Sequence, residues 1–103
     1  MAFKDVNLNS DSPYLNPTDR AVVAGDVILF LNDTSYDFTI IIKNAYKVFN
    51  TQSKTLVYDV SSGGVVRTPP IKVNAELPLE YEVYIYIDDD IIPSDAPPRI
   101  IRV

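Results

Sequence analysis

Apolar residues recur at every second position in short runs of this chain, and Gly, Pro, Asn and Asp break the runs. That is the pattern of β-strands and turns. From Tyr36 to Lys43, Phe38, Ile40 and Ile42 share one face, with Asp37, Thr39, Ile41 and Lys43 on the other. Period two therefore assigns Phe38, Ile40 and Ile42 to the core. Upstream, Val27 to Leu31 is a continuous apolar run, which predicts a strand buried on both faces or at a sheet centre. Asn32, Asp33, Thr34 and Ser35 close it. Gly25-Asp26 predicts a tight turn or bulge in which the Asp side chain makes a local hydrogen bond, and Arg20 to Val23 a short strand before it. Thr55 to Val60 predicts a strand with Leu56, Tyr58 and Val60 opposite Thr55, Val57 and Asp59. Glu80 to Ile87 gives the cleanest alternation: Tyr81, Val83, Ile85 and Ile87 on one face, Glu80, Glu82, Tyr84 and Tyr86 on the other.

The remaining segments are less regular. Residues 2–8 alternate weakly, and the break at Asp5 predicts an irregular strand or a bulge. Asn9 to Arg20 carries Pro13, Pro17 and small polar residues, which is turn chemistry, with Tyr14 and Leu15 tucked onto the core edge. Asn44 to Ser53 has room for a helical turn and no more. Ser61-Ser62-Gly63-Gly64 predicts a turn between antiparallel strands. Val65 to Arg67 continues until Thr68-Pro69-Pro70 stops it. Ile71, Val73 and Ala75 then alternate with Lys72, Asn74 and Glu76. Asp88-Asp89-Asp90 ends the long strand, IIPSDAPP reads as a proline-rich loop, and RIIRV as a short terminal strand. Strand candidates at roughly eight- to twelve-residue spacing, without a long helical pattern, predict one all-β domain over residues 1–103: a Greek-key β-sandwich of about seven to eight strands.

Composition narrows the chemistry. The chain has 103 residues, 47% of them hydrophobic, enough for a core without covalent staples. It has no cysteine and no histidine. Disulfides, thiolate metal sites, imidazole ligands and His-based nucleophilic triads are thereby excluded. Net charge is −5, and the nine Lys and Arg residues are scattered. Such a surface argues against nucleic acid, which requires a basic face. The longest apolar run is too short to span a membrane as a helix. No apolar leader stands at the N-terminus, so the chain as written reads as cytoplasmic; a trimmed extracytoplasmic protein would read the same.

Two stretches resemble the cupredoxins, the copper sandwiches of the plastocyanin and azurin type. VVAGDVILFLN is similar to the family's strand, Gly-Asp turn and apolar strand ending in Phe-x-Asn. LEYEVYIYI, an acidic loop and RIIRV are similar to its last hairpin, where Tyr-x-aromatic-x-Cys leads into the ligand loop. The resemblance covers most of 21–42 and 79–103, under half of the chain. It implies a cupredoxin-like fold with degenerate copper positions. The first histidine's place holds Phe38, the cysteine's Ile85, the second histidine's Asp88 or a neighbour, and no methionine lies near Pro93 to Pro97. Blue copper requires a thiolate and two imidazoles, so neither metal nor cofactor is expected. Phe38 and Ile85 face inward on their strands, and burying them stabilises by roughly 1.5–3 kcal/mol each.

Tyrosine supplies 7 of the 11 aromatic residues, and Tyr84 and Tyr86 are expected on the outer face of their strand. With Tyr58, Tyr46 or Tyr36 they form a candidate partner surface, because tyrosine is rigid and amphipathic. The plain alternative is cross-strand packing by good strand formers. Asp88, Asp89 and Asp90 are a weak calcium candidate, since hard cations take several oxygens; the plain alternative is a solvated strand end that blocks edge pairing. Nothing marks a carboxylate pair as lying in a cleft, which disfavours an enzyme. The expectation is a non-enzymatic binding or assembly module with a protein partner and a lost metal site. Two alternatives stay open: a Ca-dependent adhesive or carbohydrate-binding sandwich, and an Ig-like or viral-type structural sandwich. The pairing of the first strand discriminates the last from a cupredoxin-like arrangement.

Overall fold

A computed structural model of the chain describes residues 2–103. Among them eleven strands and one 3-10 turn follow in order: β1 (Phe3–Leu8), β2 (Leu15–Asn16), β3 (Asp19–Val22), β4 (Val27–Asn32), β5 (Asp37–Lys43), the 3-10 turn (Ala45–Lys47), β6 (Thr55–Val60), β7 (Val65–Arg67), β8 (Leu79–Glu80), β9 (Glu82–Ile87), β10 (Asp90–Pro93) and β11 (Arg99–Arg102). They form sheets of order β2-β1-β4-β7, β10-β9-β5-β6 and β3-β11-β8. The architecture is all-β and sandwich-like. Val6, Ile28 and Phe30 from the first sheet, Phe38, Ile40 and Ile85 from the second, and Val22 and Ile100 from the third belong to one buried cluster. The radius of gyration, 12.9 Å, is that of a single compact domain of about this length.

Faces follow the period-two reading closely. Phe38, Ile40 and Ile42 of β5 and Val83 and Ile85 of β9 are buried. The irregularity or bulge expected in the first strand is absent: β1 pairs with β4 residue by residue, from Phe3 opposite Val27 to Leu8 opposite Asn32. Val6 and Leu8 point inward and are buried, while Phe3, of opposite parity, is 52% exposed. This pair is parallel, as is β3 with β11.

Two polar side chains fasten the ends of the central strand β4. Asp26 is buried and accepts from the backbone N–H of Val23 (2.9 Å) and of Ala2 (3.1 Å), so the Gly-Asp turn makes the anticipated local bond and also holds Ala2, just before β1. Gly25 there has φ 88°, a value open to glycine at little cost. At the other end, buried Asn32 donates from Nδ2 to the carbonyls of Tyr36 (2.7 Å), Val60 (3.0 Å) and Ser61 (3.0 Å). Its Oδ1 accepts from the Thr34 hydroxyl at 2.7 Å. Asn32 thus ties the end of β4 to the start of β5 and the end of β6.

Asn9–Arg20, expected as turn, holds β2 and the start of β3, and four further segments depart from expectation. Ser61–Gly64 connects β6 of one sheet to β7 of another instead of joining neighbours. Gly64 N–H closes the turn on Ser61 O, and Asn32 N–H pins it through Gly64 O, so local turn chemistry is kept while the chain crosses layers. The continuous strand expected to Ile87 changes sheet at Tyr81, whose N–H donates to Pro98 O (3.0 Å) instead of a strand ladder. Ile71 to Ala75 forms only an isolated bridge, Ile71 to Phe49, and Val73 is 79% exposed. The proline-rich loop is in part a strand: β10 pairs antiparallel with β9, Asp90 opposite Ile87 and Ile92 opposite Ile85. Asp88 and Asp89 form its two-residue turn with φ 50° and 66°, as a hairpin turn of mirror-image type requires.

Candidate functional site

The residues singled out by sequence converge on the β10-β9-β5-β6 sheet. Antiparallel register places Phe38 directly opposite Ile85 on one side and Val60 on the other, and Ile85 opposite Ile92. Directly opposed residues share a face, so a row Val60–Phe38–Ile85–Ile92 crosses all four strands on the inner side. Phe38 is 1% and Ile85 0% exposed. The positions that the resemblance assigns to the first imidazole and the thiolate are adjacent, buried and hydrocarbon. Asp88, the third such position, is exposed at the β9–β10 turn beside Asp89, while Asp90 opens β10. Among the described residues no group of three or more His, Cys, Asp or Glu is placed to hold a metal ion.

The outer side of the same sheet is polar. Asp59, Thr39 and Tyr84 are successive partners across β6, β5 and β9. Thr39 Oγ1 donates to Asp59 Oδ1 at 2.9 Å, which uses its only proton. The Tyr86 hydroxyl, 2.9 Å from Thr39 Oγ1, is then the donor to it. Tyr86, Thr39 and Asp59 form a directed chain of hydrogen bonds. They line a shallow depression of about 220 Å³ with Asp37, Ser61 and the inner-face residues Phe38 and Val60. Asp37 is engaged, accepting the Ser62 N–H at 3.0 Å. This lining of hydroxyls and two carboxylates suits a neutral or cationic hydrogen-bond donor and disfavours an anion.

A second polar cluster lies farther along the same face. The Tyr84 hydroxyl donates to Glu82, and Lys43 Nζ sits 3.4 Å from the other Glu82 oxygen. The Tyr84 bond, helped by Lys43, holds the Glu82 carboxyl below its ordinary range against the opposing effect of burial. The same bond pushes the Tyr84 hydroxyl up.

Tyr58 does not share this surface. It lies opposite Ile40 on the inner face and packs, half-buried, against the core, and burial raises its hydroxyl's pKa. The candidate trio is therefore split, Tyr84 and Tyr86 outside, Tyr58 inside, because Tyr58 shares the parity of Leu56 and Val60. Tyr36 is half-buried; Tyr46 is exposed beyond the sheet, on the 3-10 turn. The outer face gains two apolar members that sequence reasoning passed over, Val57 at 58% and Ile91 at 60% exposure. Ile91 was legible only if Asp-Asp was read as a hairpin turn, since β10 then brings it opposite Tyr86. Comparison with protein-family models, curated proteins and solved structures finds nothing that matches this chain.

Proposed function

We propose that this chain is a non-enzymatic binding or assembly module, built on a cupredoxin-like, Greek-key sandwich whose metal position is filled with hydrocarbon. The observation that carries the reading is the buried cross-strand pair Phe38 and Ile85 within the Val60–Phe38–Ile85–Ile92 row. Neither side chain coordinates a metal, and the row leaves the core face of the sheet as packing alone. The parallel β1–β4 and β3–β11 pairs support a cupredoxin-like arrangement over an Ig-like one, whose two sheets are antiparallel. Recognition then belongs to the outer face, where Tyr86, Ile91 and Val57 stand exposed around the hydrogen-bonded chain. A rigid aromatic anchor, Tyr86, with apolar neighbours and satisfied polar groups around it suits a protein-binding patch.

The test uses immobilised chain and its Tyr86→Ala/Ile91→Asp variant, exposed to extract from the source cells. A partner retained by the wild type and lost by a variant with unchanged circular dichroism supports the reading. Equal retention by both overturns this face. Melts with Cu²⁺, Zn²⁺ and Ca²⁺, against chelator, are expected to coincide; a midpoint raised by several degrees with any of them overturns the metal-free reading.

A further inference from the structure

Strand edges are where sheet proteins meet other chains, and most are guarded by prolines, shortness or charge. Among the described residues the six edge strands are β2, β7, β10, β6, β3 and β8. Five are two to four residues long. Each of these five contains a proline or has one within two residues: Pro17 for β2 and β3, Pro69 for β7, Pro78 for β8 and Pro93 for β10. The sixth, β6, is different. It has six residues, TLVYDV, with no Pro or Gly in it or within two residues; its charges are Asp59 near one end and Lys54 just before the other, and it pairs with β5 alone. Its outward residues are Thr55, Val57 and Asp59, and Val57 is 58% exposed.

We propose that β6 pairs with the β6 of a second copy, antiparallel about a two-fold axis, to make one continuous eight-stranded sheet. The proposal rests on the assembly reading above and names its partner. The sequence of β6 fixes the register. Outward residues must meet outward residues, which limits the axis to positions where parity is kept. With Val57 on the axis, Val57 faces the partner's Val57, Thr55 faces the partner's Asp59, and Leu56 faces the partner's Tyr58. Apolar side chains thus meet at Val57 and at Leu56 with the partner's Tyr58, and no like charges stand directly opposite. The outer face then carries an unbroken apolar row, since Val57 already sits opposite Ile41 within its own sheet.

Charge agrees with this register. Lys43 is opposite Thr55, so Asp59 lies two strand spacings, about 10 Å, from the partner's Lys43. An extended lysine spans most of that gap. The Lys43 side chain is 69% exposed, and reaching Asp59 exchanges its 3.4 Å contact with Glu82 for one with the partner. The two Asp59 residues stand four positions apart along the strands, about 14 Å, beyond the screening length of about 8–10 Å in physiological salt. Opposite charges are thus brought within reach and like charges kept apart, in a chain whose net charge of −5 disfavours indiscriminate self-association.

The experiment uses the full chain. Because the protein has no cysteine, Val57→Cys introduces a lone thiol that the proposed axis sets against its twin, within disulfide reach. Mild oxidation is expected to give mainly covalent dimer, whereas Val65→Cys, on the short β7 edge, is expected to gain no covalent cross-link. In sedimentation, wild type is expected as a dimer, Val57→Lys and Asp59→Lys as monomers of unchanged circular dichroism, and Asp59→Lys with Lys43→Glu as a dimer again. Wild type that sediments as a monomer at every concentration, Val57→Cys that cross-links no faster than Val65→Cys, or a dimer that survives Val57→Lys overturns the proposal. A monomeric wild type that still captures a partner through Tyr86 and Ile91 would remove the dimer and leave the module reading standing. Metal-dependent stabilisation would remove the module reading itself.

Discussion

On the inward side of the β10-β9-β5-β6 sheet, Val60, Phe38, Ile85 and Ile92 present only hydrocarbon; on the outward side of the same strands, Tyr86, Thr39 and Asp59 are joined by hydrogen bonds. One residue's step along β5, from Phe38 to Thr39, separates the two regimes. The inner face is stabilised by area removed from water and by close packing, so its cost of change is large and depends on volume. The outer face is stabilised by exchange of water for protein partners, which is worth far less per group. A surface of that kind tolerates substitution, and that tolerance lets it serve recognition without endangering the fold.

The largest way to break this contrast is Phe38→Ala, expected to cost about 3–5 kcal/mol by cavity formation and to lower the denaturant midpoint without changing the slope. A loss under about 1 kcal/mol would show that the row is not close-packed. On the outer side of the adjacent position, Thr39→Val keeps the shape and removes both hydrogen bonds of the chain. The expected loss is about 1 kcal/mol, because exposed Asp59 and Tyr86 regain water. A loss equal to that of Phe38→Ala would erase the distinction between the faces.

The smallest effect is expected from Tyr84→Phe and has a pH signature. The folded-state Glu82 carboxyl is lowered chiefly by the Tyr84 hydrogen bond. Its stabilising contribution is therefore present above the ordinary value of 4.5 and is lost as pH falls through the lowered folded value. Wild type and variant melts should differ slightly at neutral pH and converge on acidification below that value. A gap that widens in acid would contradict the assignment.

The inner face was legible in sequence because burial imposes period two. Phe38, Ile40 and Ile42, and Val83 and Ile85, alternate without interruption, and one face of each strand had to be core. The outer face was half legible. Tyr84 and Tyr86 were placed by the same parity, but Tyr58 was grouped with them by residue type, and strand parity sends it inward. Ile91 was missed because IIP after three aspartates reads as a loop, unless two of the aspartates supply the positive φ of a hairpin turn. Layer crossings at Tyr81 and at Ser61–Gly64 left no mark, because local turn and strand chemistry is the same whether the next strand lies beside the last or in another sheet. Asn32 read as a strand terminator, while its role in joining three strand ends depends on carbonyls brought near only by folding.

The pairing of Phe38 with Ile85 is the centre of the account, and a double-mutant cycle with Phe38→Leu and Ile85→Ala tests it most directly. Side chains packed against each other are expected to show a coupling energy of about 0.5–3 kcal/mol in urea denaturation. Additivity within about 0.3 kcal/mol would mean that the two side chains do not share a packed environment, and would contradict the hydrocarbon-filled position on which the functional reading stands.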